Sequence, residues 1–264
     1  MSQEQPILPC PVCGTHALMA RTKFFKRPQR WSPQEPIRWL SASPSRSGST
    51  VVFQLMNLFD DGATVKTHAI HQADCPMIFD IEGVICTIRH PYDMFASLLY
   101  MFKEKQPEDF CLNKDSDIVK KLDKELNSTL GLLRYKNYMI PLYSSMGLEL
   151  CPIIFLKYEE CQENPAKRVS EIAKIMKVDL SDDDIERIAE DHSVQKNITR
   201  IESGEHRTEE IKGTEKTKNI YFEKNHIGPG KGKSQGGRLP QEVKDFIFKN
   251  YAALFEEFNY LKEL

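Results

Sequence analysis

Residues 44–50, Pro-Ser-Arg-Ser-Gly-Ser-Thr, combine one cation, Arg46, with the hydroxyls of Ser45, Ser47, Ser49 and Thr50 and a single glycine, Gly48. Small residues let the backbone N–H groups of such a loop turn toward an anion. A helix opening directly after the loop adds partial positive charge. The chemistry implied is phosphate binding. The ATP-type loop requires Gly-x-x-x-x-Gly-Lys-Ser/Thr, and here Arg46 stands in place of the lysine while the first glycine is missing.

Further polar segments recur at comparable positions along the chain. Lys66-Thr67-His68 offers a cation next to a proton acceptor, and Arg89 is followed by Ser97 two turns into a helical pattern. Those two residues are placed to grip a second phosphate from two sides. Tyr158-Glu159-Glu160 puts an aromatic ring at the end of an apolar run, and the Gly/Lys segment 228–233 supplies a cationic flap through Lys231 and Gly232. His71 is a second candidate base beside His68.

The elements that must carry these residues alternate. Strand-like runs at 37–42, 63–67, 84–88 and 151–157 are separated by helical patterns at 50–59, 91–104, 117–147 and 164–177. That alternation predicts an α/β fold of three layers, a mostly parallel central sheet flanked by helices. In such a sheet ligands bind at the carboxyl ends of the strands, where the loop 44–50, Lys66–His68, Arg89 and Tyr158 fall. Asn164-Pro165 reads as a cap followed by a first-turn proline, and Ser181 with Asp184 as a variant capping box. A last helix over 240–260 presents Val243, Ile247, Tyr251 and Leu254 to the sheet, whereas 199–237 is polar and weakly periodic. Residues 1–36 hold six prolines and a basic run, and read as an irregular arm before a domain spanning 37–264.

The composition excludes several classes. A formal charge of −2 across 264 residues gives no global attraction to nucleic acid or membrane. No stretch approaches the roughly 18 apolar residues of a membrane span. Seven cysteines, odd in number and scattered, favour a reducing compartment over a disulfide framework, so a cytoplasmic location is expected. Cys10-Pro-Val-Cys13 with His16 resembles half of a zinc site, and His68, His71 and Cys75 are conceivable partners. No second Cys-x-x-Cys exists, and the expectation is no metal.

Taken in order, the motifs resemble those of sulfotransferases that use 3′-phosphoadenosine 5′-phosphosulfate (PAPS). The 5′-phosphosulfate loop of that family, Pro-Lys/Arg-Ser-Gly-Thr/Ser-Thr, is similar to 44–50 with one residue added. Its 3′-phosphate pair, an Arg at a strand end and a Ser eight residues on, matches Arg89 and Ser97. Lys66-Thr67-His68 and Tyr158-Glu159-Glu160, followed by Glu163-Asn164-Pro165, read like further family segments. The late Arg-Lys-Gly finds an imperfect counterpart in Gly230-Lys231-Gly232, with Lys233 or Arg238 as other stand-ins for the missing Arg. Val51 replaces a frequent Trp, and Ala69-Ile70 replace a Leu-Pro, so the chain diverges from the well-known cytosolic members.

The resemblance implies a P-loop-NTPase-like sulfotransferase architecture over 37–264. It also implies PAPS as co-substrate, with Arg46, Ser47, Gly48, Ser49, Thr50, Arg89, Ser97, Tyr158, Lys231 and Gly232 as its binding residues. His68 would act as general base on a small-molecule or glycan acceptor, with Lys66 and Arg46 stabilising developing charge. The acceptor walls and the oligomeric state are not legible. Two alternatives stand beside this reading. One is a P-loop kinase-like phosphotransferase, which would need a loop Lys and a carboxylate at a strand end for Mg²⁺. The other is a nucleotide-binding module without catalysis, which would have no use for Lys66 and His68.

Overall fold

A computed structural model describes residues 38–60, 64–68, 81–102, 106–147, 149–203, 208–210, 217–219 and 234–263. Four strands, β1 (Trp39–Ala42), β2 (Thr64–Thr67), β3 (Gly83–Ile88) and β4 (Ile153–Lys157), form one sheet in the order β2-β1-β3-β4. Every pairing is parallel, in register Leu40 with Val65, Leu40 with Val84, and Val84 with Ile153. The chain leaves β1 for β2 on one side and returns to β3 on the other. The carboxyl ends of β1 and β3 therefore flank a topological switch point, the crevice in which α/β sheets bind ligands.

The two-residue alternation of the strands sorts the core into layers. Trp39 and Ile85 point to one face, where they pack with Val52, Leu55 and Met56 of α1 (Ser49–Phe59) and with Val169 and Ile172 of α6 (Pro165–Ile175). Leu40, Ala42, Val84 and Cys86 point to the other, against Leu132, Tyr135 and Met139. Beyond them, α2 (Pro91–Met101), α3 (Asp117–Arg134) and α9 (Gln241–Glu257) close a third cluster through Phe95, Leu122, Leu126, Val243 and Ile247. β3 is buried along its whole length, as expected of a strand covered on both faces.

The expected three-layer α/β fold is present, and its differences from expectation have local causes. The helical stretch 117–147 is three pieces: α3, a π-helical turn at Tyr135–Met139, and α4 (Ile140–Ser145). Pro141 carries no N–H, and its ring would strike the Asn137 carbonyl in a regular helix. The chain widens instead, so that Ile140 N–H reaches the Tyr135 carbonyl. Tyr158 does not end β4 but opens a short helix, α5 (Tyr158–Glu163). Part of the polar stretch 199–237 also forms regular elements, the end of α8 (Val194–Ser203) and an antiparallel pairing of β5 (Thr208–Glu210) with β6 (Thr217–Asn219).

Both expected caps are present. Asn164 Oδ1 accepts from Lys167 N at 2.9 Å, and Ser181 Oγ accepts from Asp184 N at 3.2 Å at the start of α7 (Asp182–Asp191). No helix among the described residues is long and apolar enough to cross a membrane. Cys86, Cys111, Cys151 and Cys161 form no disulfide. The proposed arm, Cys10, Cys13, His16, His71, Cys75, Lys231 and Gly232 lie outside the described residues.

Candidate active site

The loop after β1 is tight and held at both ends. Ser47 N–H and Oγ both donate to the Pro44 carbonyl, at 3.4 and 2.6 Å. Arg46 takes a left-handed backbone, φ +68°, as does Gly48 at φ +84°. For a residue with a Cβ that conformation costs energy and needs support from its surroundings. Gly48 caps α1 with no side-chain hydrogen bond, so no side chain closes the first turn of that helix. A Cβ at position 48 would lie 2.4 Å from Tyr158 Cδ2, so glycine is required there by contact as well as by φ.

The support comes from Glu125 on α3, which sequence reading did not single out. Its buried carboxylate accepts from Ser45 N at 2.6 Å and from Ser45 Oγ at 2.9 Å, and Lys121 Nζ lies 3.1 Å from it. A carboxylate inside the otherwise apolar run Leu122, Leu126 and Leu130 was the available signal. Ser43 was likewise missed: its Oγ accepts from Thr87 N at 2.7 Å, tying the ends of β1 and β3 together.

Around this loop the structure brings together most of the sequence-derived candidates. Arg46 Nε donates to Ser97 Oγ at 2.8 Å, bridging loop and α2. Lys66 Nζ, from the end of β2, donates to Thr50 Oγ1 at 2.8 Å. The Arg89 guanidinium stacks on the Tyr158 ring, 4.6 Å from its centroid, and stands 4.0 Å from Asp93. Asp93 Oδ1 in turn accepts from Ser234 Oγ, Gln235 N and Gly236 N, which draws the chain just after the Gly/Lys segment to this edge. Arg238 does not join it. That side chain is exposed and bonded to Glu108 and the Tyr100 hydroxyl, so it is no stand-in for the missing arginine.

The electrostatics are those of crowded, largely covered cations, with Arg46 and Lys66 half-buried and Arg89 buried. Burial, then the nearby Arg89, pushes the Arg46 guanidinium below its ordinary value. Burial, then Arg46, lowers the Lys66 ammonium to about 8. Like charges gathered in a poorly solvated pocket repel one another, and an anion relieves the repulsion. His68 Nδ1 lies 3.1 Å from the Ser43 carbonyl, which fixes the proton on Nδ1 and leaves Nε2 as the acceptor. Burial first, then Lys66, holds the imidazole below its usual value, so the ring is neutral near pH 7. Among the described residues no three His, Cys, Asp or Glu side chains gather in a metal-binding group.

The sulfotransferase domain family matches residues 64–229, more than half of the chain. The chain belongs to the sulfotransferase family. Loop residues 44–50 lie ahead of the matched segment, and hydrogen bonds join them to it through Lys66 and Ser97. No curated protein matches this sulfotransferase by sequence. Solved structures with similar folds include retinol dehydratase in complex with androsterone and the inactive cofactor PAP. It is 13% identical with a TM-score of 0.53, covering 90% of this chain and 85% of that one. Mouse sulfotransferase SULT7A1 complexed with PAP is 14% identical, with a TM-score of 0.51 and 88% of each chain covered. A retinol dehydratase complex with retinol and PAP aligns with a TM-score of 0.52 at 14% identity, over 90% of this chain and 85% of that one. At these identities the likeness is one of fold.

Proposed function

We propose that this sulfotransferase moves the sulfuryl group of PAPS to a hydroxyl or amine of a small acceptor by in-line displacement. The observation that carries the reading is the cation cluster at the switch point: Arg46 and Lys66 are each depressed by burial and by a like-charged neighbour. A donor with a phosphate at one end of its ribose and a phosphosulfate at the other supplies the missing negative charge. The retinol dehydratase and SULT7A1 structures hold PAP, the desulfated form of that donor, which supports the same choice.

In this reading the loop 46–50 and the α1 N-terminus hold the 5′ side through backbone N–H groups. Arg89 and Ser97 hold the 3′-phosphate, and Tyr158 walls the nucleoside side. Arg46 and Lys66 stabilise charge developing between donor and leaving oxygen. His68 Nε2 takes the acceptor's proton. A kinase-like role fits less well, because β3 is followed by Arg89 where Mg²⁺ chemistry needs a carboxylate. The scattered cysteines fit a cytoplasmic location.

The test is transfer of label from ³⁵S-PAPS to a panel of phenols, amines and sugars, run beside γ-labelled ATP with Mg²⁺. Labelled product from PAPS alone supports the reading, and product from ATP alone removes it.

A further inference from the structure

The candidate base opens onto a cleft whose far wall is positively charged. Thr67 and His68, at the end of β2, line one side of a cleft of about 400 Å³, and the first two turns of α3 line the other. That wall carries Lys120, Lys121 and Lys124, together with Asp117 and Glu125. The charges are not equivalent. Glu125 is buried and committed to the Ser45 backbone and hydroxyl, with Lys121 as its ion-pair partner. Lys120 and Lys124 are exposed, and no carboxylate among the described residues lies within 4.0 Å of either. They sit one helical turn apart, about 6 Å along the axis, on the same wall. Asp117 offsets one of the two charges from the first turn of the helix, where the helix dipole favours it.

This local excess arises in a chain whose formal charge is −2, so it does not follow from composition. It also stands apart from the donor cations. Arg46 and Lys66 turn to Ser97 and Thr50, whereas Lys120 and Lys124 face the cleft that His68 lines.

We propose that the acceptor of this sulfotransferase is an anionic small molecule. It carries a carboxylate, phosphate or sulfate group that Lys120 and Lys124 hold while its nucleophilic hydroxyl or amine meets His68. The proposal rests on the assignment of His68 to the acceptor side. The two lysines are acceptor-positioning residues and touch no reacting atom. Their contribution is selectivity: paired with an anion at the protein surface they favour the charged acceptor by roughly tenfold.

Matched pairs of small acceptors differing only in charge test it on the full chain: 4-hydroxyphenylacetate with its methyl ester, glucuronate with glucose, and N-acetylglucosamine 6-phosphate with N-acetylglucosamine. Transfer from ³⁵S-PAPS is read as kcat/KM, and binding of each compound to the PAP-loaded protein is read by calorimetry. At least one anionic member should exceed its neutral partner by about tenfold in both readouts. Lys120→Gln with Lys124→Gln should abolish that preference, and Lys120→Arg with Lys124→Arg should keep it. Equal use of both members in every pair, absence of binding by every anionic member, or a preference that survives the glutamine variant would overturn the proposal. PAP binding measured alongside separates the two readings. Normal PAP binding without anion preference removes only the acceptor assignment, whereas loss of PAP binding removes the donor assignment.

Discussion

Arg46 Nε and Ser97 Oγ, fifty-one residues apart, meet at 2.8 Å and fasten the loop after β1 to helix α2. The bond sets the loop arginine against α2, the helix that begins just after Arg89. Under the proposed function, Ser97 exchanges this protein partner for a ligand oxygen when the nucleotide enters. Lys66 has the same character, since its bond to Thr50 Oγ1 parks the ammonium at the start of α1.

The depressed pKa of Lys66 makes donor capture sensitive to alkali. With a value of about 8 in the free protein, the ammonium loses its proton as pH rises through 8. Because kcat/KM for the donor reports free-enzyme ionisations, it should fall above pH 8. Lys66→Arg should remove that limb, since a guanidinium stays charged throughout. A donor kcat/KM flat from pH 7 to 9.5 in the unmodified protein would count against the role of Lys66.

Under the proposed mechanism, His68 governs the acid limb. Its imidazole is held below the ordinary histidine value, so it stays neutral and able to accept a proton at pH 7. Turnover should decline only as pH drops below the ordinary histidine range. His68→Ala should lower kcat by about 10²- to 10⁴-fold with PAP affinity within twofold of the parent. Unchanged kcat in that variant would remove His68 from the chemistry.

Arg89 should discriminate the 3′-phosphate. Arg89→Ala should weaken PAP binding by about 10- to 100-fold, as expected for losing a charge-assisted contact, while adenosine 5′-phosphate binding changes little. Calorimetric titration of both nucleotides checks the difference. Equal losses for the two would mean that Arg89 acts through Tyr158 packing.

Glu125 is expected to matter for the loop and not for the reaction. Glu125→Ala leaves the Ser45 N–H without its 2.6 Å acceptor and Lys121 without its partner, costing about 1–3 kcal/mol of stability. Urea denaturation measures the cost, and PAP affinity should drop alongside. Unaltered stability would show that the loop keeps its shape without this anchor.

Local signals made most of the site readable in sequence. The Ser/Gly-rich loop, the strand-end Arg89 and the Lys66–His68 triplet each lie within a few residues of a strand end, where turn chemistry and apolar runs are informative. What escaped was non-local. Glu125 reaches Ser45 across 80 residues of chain, and no periodicity states which loop a buried carboxylate will anchor. Pro141 was visible, but whether it breaks, kinks or widens a helix depends on the packing of Tyr135 and Met139 against the sheet. Tyr158 was placed at a strand end, because the step from extended to helical backbone at Lys157 carries no glycine or proline to mark it.

The proposed function requires that the crowded cations at the switch point hold a 3′,5′-bisphosphorylated adenosine. Isothermal titration of the full chain with PAP and, separately, with ATP and Mg²⁺ measures this directly. PAP should bind at least tenfold more tightly, with the advantage lost in Arg89→Ala. Binding of ATP with Mg²⁺ as tight as PAP, or tighter, would contradict the assignment.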